Sequence, residues 1–166
     1  MPSLLVVHHA PTDGVRTLLT AALQGATCED ISGVDVTAVD ALAFARGEAG
    51  ARTLAGADGY LLVTPANFGY MSGALKHVFD STFLAIGGAL DAAGQAASTG
   101  TRGRPYGLLV HGRYDTGGAV RSVESIVAAL GWRAVAQPLE VLGDVTGSDR
   151  DAAYELGATC AAVLSP

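Results

Sequence analysis

Positively charged side chains are scarce in this sequence. It has 10 Lys and Arg residues against 16 Asp and Glu, a single lysine at Lys76, and a net charge of −6. Its only suggestion of a basic cluster is the pair Arg102 and Arg104. Nucleic acids and anionic membranes are bound by basic faces. We therefore expect neither of them as a partner.

Long apolar runs and closely spaced cysteines are lacking as well. No hydrophobic stretch reaches the roughly 20 residues that cross a bilayer. The start, Met1-Pro2-Ser3, lacks the basic residues of a signal peptide. Cys28 and Cys160 are far apart and show no metal-ligand spacing, which suits a reducing compartment. We expect a soluble, cytoplasmic protein with two reduced thiols.

The motifs of several common protein classes are also absent. The sequence contains no Gly-x-Ser-x-Gly elbow, no Walker A loop and no Gly-x-Gly-x-x-Gly loop. Its histidines are poorly placed for a metal, because His8 and His9 point to opposite faces of a strand while His77 and His111 lie elsewhere. A receiver domain would need acidic residues where His8 and His9 stand. We expect none of these classes and no metal site.

What the sequence does contain is an alternation of strand and helix patterns. Apolar, β-branched runs predict strands at about 3–8, 34–39, 59–64, 107–112 and 134–141. Helical patterns lie at about 15–24, 73–86, 118–130 and 150–164, with a short or poorly formed helix within 41–56. Such alternation implies right-handed crossovers and a parallel sheet with helices on both faces. We predict an α/β fold: a three-layer, doubly wound, five-stranded parallel sheet in the flavodoxin-like order 2-1-3-4-5.

The patterns also predict where the sheet ends and how the chain is divided. Residues 34–39 alternate in polarity, as an edge strand does, whereas the other strands are almost continuously apolar. Residues 1–166 are predicted to form a single domain. The small-residue, low-complexity segment at about 87–104 is expected to be a flexible insertion, with a ligand lid as the alternative.

Ligands of open parallel sheets bind beyond the carboxyl ends of the strands. In the order 2-1-3-4-5, strands 1, 3 and 4 end side by side, and each is followed by a polar loop that contains glycine. We refer to residues 9–17, 64–73 and 111–118 as loops one, two and three.

Loop one joins the first strand to the first helix, where free N–H groups and the helix dipole attract a phosphate. Its candidate binding residues are His9, Thr12, Gly14, Val15, Arg16 and Thr17. The alternative is a plain helix cap, in which the Asp13 carboxylate accepts the N–H of Arg16. On the residues alone, the two interpretations of loop one are evenly balanced.

Loop two is the most informative stretch of the chain, since it combines two aromatics, two glycines and an Asn between a buried strand and a helix. Its candidate binding residues are Thr64, Pro65, Ala66, Asn67, Phe68 and Gly69. Thr64 and Asn67 can hydrogen-bond a polar ring edge, and Phe68 or Tyr70 can stack on the ring face. The alternative anchors Phe68 and Met71 in the core and makes Ser72 a helix cap. We favour the ligand site and expect Met71 in the core.

Loop three follows the fourth strand and contributes the candidates Gly112, Arg113, Tyr114 and Gly117. Two adjacent glycines, 117 and 118, let the backbone lie against a flat ligand. Tyr114 offers a further ring, and Asp115 or Thr116 can cap the next helix. A simple strand-to-helix turn is the alternative.

The pattern strand–Thr-Pro-x-x-x-Gly-x-Met-Ser-Gly-x-Leu-Lys–helix resembles the flavin loop of the flavodoxin-like NAD(P)H-dependent FMN reductase and quinone reductase superfamily. The matching residues are Thr64, Pro65, Gly69, Met71, Ser72, Gly73, Leu75 and Lys76. The resemblance in strand order, loop placement and length extends over nearly the whole chain. It implies non-covalent FMN, with its phosphate on loop one, the isoalloxazine edge on loop two and loop three beside the ring.

Loop one departs from the flavodoxin pattern Ser/Thr-x-Thr-Gly-x-Thr. Aligned on Gly14, the residues Pro11, Asp13 and Arg16 replace three hydroxyl-bearing residues. A carboxylate at position 13 would repel a phosphate unless a cation such as Arg16 offsets it. We therefore expect the ring site to be stronger than the phosphate site.

The resemblance further implies an enzyme that passes a hydride from NADPH or NADH through FMN to a quinone, flavin or similar small-molecule electron acceptor. Arg113 or Tyr114 is then expected near the nicotinamide. Two alternatives stay open: a one-electron carrier of the flavodoxin kind, and a flavodoxin-like binding protein that has lost FMN. The sparse charge on the last two helices is compatible with a homodimer.

Overall fold

The computed structural model of the protein describes residues 1–88, 92–94 and 100–166. Its strands are β1 (Ser3–His8), β2 (Asp35–Asp40), β3 (Gly59–Asn67), β4 (Tyr70–Met71), β5 (Pro105–Gly112), β6 (Arg133–Ala134) and β7 (Leu139–Leu142). Its α-helices are α1 (Asp13–Ala26), α2 (Leu42–Ala45), α3 (Ala51–Ala55), α4 (Gly73–Thr82), α5 (Gly117–Leu130) and α6 (Gly147–Ala162). Strands and helices thus alternate as predicted, and the weak helical pattern of 41–56 forms the two short helices α2 and α3.

The sheet has the predicted order. Strands β2, β1, β3 and β5 lie side by side and are all parallel, and β6 and β7 both pair in parallel with β5 at the far edge. With β6 and β7 taken as two pieces of one strand, this is the order 2-1-3-4-5. The short strand β4 is an addition, which pairs antiparallel with the end of β3.

The fifth strand is where the prediction was wrong. A single strand was expected over 134–141, but β6 pairs with the start of β5 and β7 with its end, and the intervening residues leave the ladder. Pro138 precedes β7 and has no N–H to donate to the ladder. Most of β6 and β7 is also exposed or half-exposed, as expected at an edge, whereas β3 and β5 are almost completely buried.

Helices cover both faces of the sheet. On one face, α1 and α6 pack against strand residues such as Val6 and Leu61. On the other, α4 and α5 together with the short helices pack against residues such as Leu5 and Leu62. The three-layer, doubly wound architecture is therefore confirmed, and each central strand contributes alternate side chains to two separate cores.

Helices α1 and α6 touch through their backbones. A Cβ atom at Gly25 would lie 1.9 Å from the carbonyl oxygen of Tyr154, and one at Gly157 would lie 1.8 Å from that of Ala22. Larger residues at these two glycines would push the helices apart. The position of α1 on the sheet is thus fixed by its contact with α6.

The segment that follows α4 departs from the sequence pattern. Helix α4 ends at Thr82, and a π-helical turn spans Leu84–Gly88 in place of the expected last helical turn. The predicted insertion at about 87–104 lies partly outside the described residues. Beyond it, the buried Thr101 donates a hydrogen bond to the carbonyl oxygen of Ile86 (2.9 Å) and accepts one from Trp132 Nε1 (2.6 Å). Thr101 thus links Ile86 to Trp132 through its hydroxyl group. No helix within the described ranges is both long enough and apolar enough to cross a membrane.

Candidate functional site

A cleft of about 530 Å³ opens at the carboxyl edge of the sheet, and all three predicted loops contribute to it. Its lining consists of Thr12, Asp13, Gly14, Thr17, Pro65, Ala66, Asn67, His111, Gly112, Arg113, Gly143, Asp144 and Val145. This volume is in the range of small-molecule and cofactor sites. The cleft therefore lies where an open parallel sheet is expected to bind a ligand.

Loop one forms a capped helix start. The backbone of Thr12 is extended, its Oγ1 accepts the N–H of Val15 (3.4 Å), and its carbonyl oxygen accepts that of Arg16 (3.0 Å). Thr12 is therefore the N-cap, which corrects the expectation that Asp13 would have this role. Asp13 is the first helical residue, and its exposed carboxylate forms an ion pair with Arg16. The negative charge beside the helix N-terminus is thus offset by a cation.

Loop two is a tight β-hairpin with a strained turn. Strands β3 and β4 pair up to Asn67 and Tyr70, which leaves Phe68 and Gly69 as a two-residue turn. Both turn residues have positive φ, 51° and 72°, as in the type I′ turns that hairpins favour. Among the described residues, Phe68 is the only non-glycine with positive φ, and its side chain is fully exposed (109%). The alternative that placed Phe68 in the core is wrong, and such strain is typical of functional sites.

Buried hydrogen bonds hold the base of loop two. Thr64 Oγ1 accepts the N–H of Ser72 (3.0 Å) and donates to the carbonyl oxygen of Pro65 (2.8 Å). Ser72 Oγ in turn accepts the N–H of Leu75 (3.1 Å) and caps α4, while Met71 is in the core as expected. Thr64 is completely buried. Its hydroxyl therefore supports the loop from inside.

The tip of loop two rests on helix α5 through backbone contact. A Cβ atom at Gly118 would lie 1.9 Å from the carbonyl oxygen of Gly69. Ser122 Oγ also accepts the N–H of Met71 (3.3 Å). The position of the hairpin thus depends on the absence of a side chain at Gly118.

Loop three turns sharply as it leaves β5. A Cβ atom at Gly112 would lie 2.8 Å from the carbonyl oxygen of Asp115. Asp115 Oδ1 accepts the N–H of Gly117 (2.9 Å) and so stabilises the first turn of α5. The ring of Tyr114 is 90% exposed. Phe68 on loop two and Tyr114 on loop three are therefore almost completely exposed aromatic side chains, and Tyr70 on loop two is partly exposed.

A fourth loop, residues 143–145, completes the cleft and is missing from the predicted site residues. The N–H of Gly143 donates to the carbonyl oxygen of Gly112 (2.8 Å), and Asp144 pairs with Arg113 (3.2 Å). The sequence signal was a Gly-Asp pair directly after the predicted fifth strand. Strand order did not predict this loop as part of the site, because the fifth strand is at the sheet edge and does not border strands 1 and 3.

The imidazole of His111 joins loop one to this fourth loop. Its Nε2 lies 2.7 Å from the carbonyl oxygen of Gly143. A Cβ atom at Gly14 would lie 2.5 Å from its Cε1 and 3.0 Å from its Nδ1. A side chain at position 14 would therefore force the imidazole to move from this position. His111 was predicted at the end of a strand and in loop three, but it is missing from the predicted binding residues.

The cleft carries little uncompensated charge. Its lining includes two carboxylates, Asp13 and Asp144, and one guanidinium, Arg113. Each carboxylate is paired with an arginine, Asp13 with Arg16 and Asp144 with Arg113. Such exposed pairs add little to stability. Their effect here is to reduce the repulsion that an anionic ligand would meet.

The predicted site residues fall into two groups of equal size. Those in the cleft lining are Thr12, Gly14, Thr17, Pro65, Ala66, Asn67, Gly112 and Arg113. Those that lie beside the cleft are His9, Val15, Arg16, Thr64, Phe68, Gly69, Tyr114 and Gly117. Among the second group, the side chain of Val15 is buried in the core, so only its backbone can face a ligand.

His8, the last residue of β1, and His9, which follows it, lie at the same sheet edge without lining the cleft. Burial lowers the pKa of His8, against the opposing effect of Asp40. The Nδ1 atoms of His8 and His9 are buried, and neither has a hydrogen-bond partner within the described part of the chain. Across those same residues, no three His, Cys, Asp or Glu side chains are grouped to hold a metal ion.

The structure has two further grooves, of which the first shares Asp13 and Thr17 with the cleft. One of about 880 Å³ lies between α1 and α6 and is lined by charges of both signs. The other, of about 450 Å³, lies between loop two, α4 and α5 and is lined by Gly69, Tyr70, Lys76, Gly118, Arg121, Ser122, Ser125 and Ile126. We call the second the basic groove, because Lys76 and Arg121 line it and no carboxylate does. Lys76 is paired with Asp80 (2.6 Å).

The fold and the cleft define a flavodoxin-like α/β protein, and similar solved structures agree. The chain is similar to a flavodoxin from the domain Archaea, with 15% identity, a TM-score of 0.74 and coverage of 98% of both chains. A WrbA-like flavodoxin from Agrobacterium tumefaciens has 17% identity and a TM-score of 0.71, over 99% of this chain and 98% of that one. Flavodoxin 1 from Bacillus cereus has 15% identity and a TM-score of 0.70, over 95% of both chains. At these identities the likeness establishes the fold.

The sequence itself identifies the family. Residues 16–144 match the family described as NADPH-dependent FMN reductase. The chain therefore belongs to the NADPH-dependent FMN reductase family, which confirms the resemblance seen in loop two. No curated protein matches the sequence.

Proposed function

We propose that the protein binds FMN in the cleft and transfers electrons from NADPH or NADH to a quinone, flavin or similar small acceptor. The observation that carries the proposal is the turn of loop two. It keeps Phe68 in an unfavourable backbone conformation and fully exposed, on a loop whose preceding residues line the cleft. A chain that only had to fold would gain stability from another residue there.

The end of the cleft formed by loops two and three fits a flat ring with polar edges. Pro65, Ala66 and Gly112 provide a low wall without bulky side chains. Asn67 is exposed there and has both a donor and an acceptor for ring heteroatoms. Phe68 and Tyr114 supply exposed aromatic faces for stacking.

The end formed by loop one fits a phosphate, although with fewer hydroxyls than the flavodoxin pattern. Thr12 and Thr17 line this end, beside the first turn of α1 and its favourable dipole. The carboxylate of Asp13 is paired with Arg16. The residues present are therefore compatible with the whole of FMN, from the ring to the phosphate.

When bound, FMN would supply hydride acceptance at its N5 position and release of electrons to the acceptor. The protein's own part is to bind, orient and exclude water. Loop one fixes the phosphate end, Asn67 fixes the ring edge, and the rings of Phe68 and Tyr114 shield the ring faces. No acidic or basic side chain is required to move a proton in this scheme.

The basic groove supports a dinucleotide as the electron donor. It begins at Gly69 and Tyr70, two and three residues beyond the cleft residue Asn67. Arg121 lines it without a carboxylate partner in the described ranges, and Tyr70 is half-exposed (43%) beside it. Phosphates of NADPH or NADH would be attracted to this groove, and their adenine could stack on the tyrosine ring.

The test begins with the absorption spectrum of the purified protein and titration of the flavin-free protein with FMN. Anaerobic mixing with NADPH or NADH, followed by a quinone, then measures flavin bleaching and recovery. The variant Tyr114→Ser removes a proposed stacking ring. Leu84→Ser is its matched control, because Leu84 is also an exposed apolar side chain (70%) but lies after α4.

We expect FMN to bind, NADPH or NADH to bleach it, and Tyr114→Ser to weaken FMN binding more than Leu84→Ser. Binding without bleaching would support the one-electron carrier instead. Failure to bind FMN at tens of micromolar would contradict the proposal and support a flavodoxin-like protein that has lost its cofactor.

A further inference from the structure

We propose that His111 binds the phosphate of FMN and replaces the hydroxyl groups that loop one lacks. This inference rests on the proposed function, since it concerns how the same cleft holds its cofactor. It assigns a binding role to a residue that neither the loop two motif nor the flavodoxin loop one pattern includes.

The position of the imidazole carries the inference. One edge of the ring, Cε1 and Nδ1, lies against Gly14, where a Cβ atom would be 2.5 Å and 3.0 Å from these two atoms. Gly14 is in the first turn of α1, and both residues line the same cleft. The ring therefore occupies space next to the helix N-terminus, at the end of the cleft where the phosphate is expected.

The hydrogen bond to Gly143 determines what the other ring nitrogen can do. A carbonyl oxygen only accepts, so His111 Nε2, 2.7 Å from that of Gly143, carries the proton. In the neutral ring Nδ1 is then an acceptor, and in the imidazolium it is a donor. A phosphate beside Nδ1 favours the imidazolium, which would donate from Nδ1 while Nε2 keeps its bond to Gly143.

The charged groups around the ring come from each element packed against it. Helix α1 contributes Asp13 paired with Arg16, and the loops contribute Asp144 paired with Arg113. Helix α6 contributes Asp149, whose carboxylate accepts hydrogen bonds from Thr146, which lower its pKa, and interacts more weakly with His111. Two of the three carboxylates thus have an arginine partner, and the third, Asp149, is bonded to Thr146.

The decisive variant is His111→Gln, because the glutamine amide can still donate to the Gly143 carbonyl but has no group at the place of Nδ1. Dissociation constants for FMN and for riboflavin, which lacks the phosphate, are measured for the wild type and the variant. His77→Gln, an exposed substitution on α4, is the matched control. We expect FMN affinity to fall about 10- to 100-fold in His111→Gln, as for a lost hydrogen bond to a charged group, with riboflavin affinity unchanged.

A second measurement does not depend on flavin. Inorganic phosphate is titrated into the wild type while the ¹⁵N signals of the His111 ring are followed by NMR. We expect phosphate to shift Nδ1 toward its protonated position and to leave the signals of His77 in place.

Each result decides the inference. Equal losses for FMN and riboflavin, or no loss for either, would overturn the phosphate role of His111 while leaving FMN binding intact. If neither flavin binds the wild type, the proposed function fails, and the phosphate titration alone then decides whether His111 is an anion ligand. An unmoved Nδ1 signal would reject that role.

Discussion

The carbonyl oxygen of Gly69 in loop two lies directly against the α-carbon of Gly118 in helix α5, with room for a hydrogen atom but not for a methyl group. A Cβ atom at position 118 would be 1.9 Å from that oxygen. The hairpin that holds Phe68 is thus seated on the helix that follows loop three. This contact between glycines thus helps to position two of the four loops around the cleft.

Gly118→Ala should therefore displace loop two and weaken FMN binding by about tenfold or more, since overpacking of this kind typically costs 1–3 kcal/mol. Alanine is the better helix former, so the loss cannot come from helix propensity. Gly147→Ala is the matched control: Gly147 also lies in the first turn of a helix, and a Cβ atom there would be 3.7 Å from Arg150 Nη2, an ordinary contact. Titration of both variants with FMN provides the measurement, and equal affinities would show that the contact does not position the site.

Phe68→Asn should change protein stability and FMN binding in opposite directions. The Asn-Gly pair is the favoured type I′ turn, so relief of the strained backbone should raise the free energy of unfolding of the flavin-free protein by about 1 kcal/mol. The same variant loses its stacking ring and should bind FMN more weakly. Tyr114→Ser removes the exposed ring of loop three without a change of the hairpin turn and should weaken binding with no gain in stability. Urea unfolding and FMN titration measure the two effects, and an unstabilised Phe68→Asn would mean that the turn is not strained.

Asp13→Thr should tighten FMN binding about threefold at low salt, because it removes a carboxylate near the phosphate end and restores a hydroxyl of the flavodoxin pattern. The gain should shrink at high ionic strength. Asp35→Asn removes one negative charge at the opposite end of the sheet and should leave the affinity unchanged. Unchanged affinity in Asp13→Thr would indicate that Arg16 already cancels the carboxylate completely.

Arg121→Gln should raise the KM for NADPH by about three- to tenfold with little change in kcat, as expected when an interaction contributes equally to ground-state and transition-state binding. Arg133→Gln removes an exposed arginine from β6, at the edge of the sheet, and is the control. Steady-state kinetics with a quinone acceptor give both constants. A fall in kcat at constant KM would argue against a donor site in the basic groove.

The two cysteines should differ sharply in reactivity. Burial raises the pKa of the Cys160 thiol to about 12, whereas Cys28 is partly exposed. At pH 8 a thiol reagent should modify one cysteine of the folded protein rapidly and the second only after unfolding, and Cys28→Ser should abolish the rapid phase. Since the unfolded thiol titrates near 9.0, stability should also fall as the pH rises from about 9 to 12. Rapid modification of Cys160 in the folded state would contradict this packing.

Much of the fold could be predicted, because the apolar pattern of each strand and helix is local in the sequence and the strand order follows from general rules for α/β folds. β1 has the predicted bounds, and the alternating run at 34–39 is indeed an edge strand. The interruption before β7 was missed because an apolar run does not show where the hydrogen bonds of the ladder stop. Pro138 was the one sequence signal for it, since proline cannot donate a backbone hydrogen bond. The sequence pattern thus predicted which segments pair in the sheet, but not how many residues of each segment take part in the pairing.

The candidate site was predictable only in part, because contacts between residues far apart in the sequence determine which of them line the cleft. Asp13 and Thr12 are both good caps, and only the backbone geometry shows that Thr12 has the role. His111 and the 143–145 loop enter the cleft through a hydrogen bond across 32 residues, which no local pattern reveals. The exposure of Phe68 depends on a turn type that an aromatic residue normally disfavours.

The glycine contacts between α1 and α6 have a consequence for the cost of ligand binding. Helix α1 cannot slide along α6 without a collision at Gly25 or Gly157, so these contacts restrict movement of the whole helix, including its first turn with Gly14. Conformational entropy at the proposed phosphate end is therefore lost mainly during folding and not during binding. Affinity at that end is then determined by which groups face the ligand, while the exposed hairpin at Phe68 is where ordering on binding can still occur.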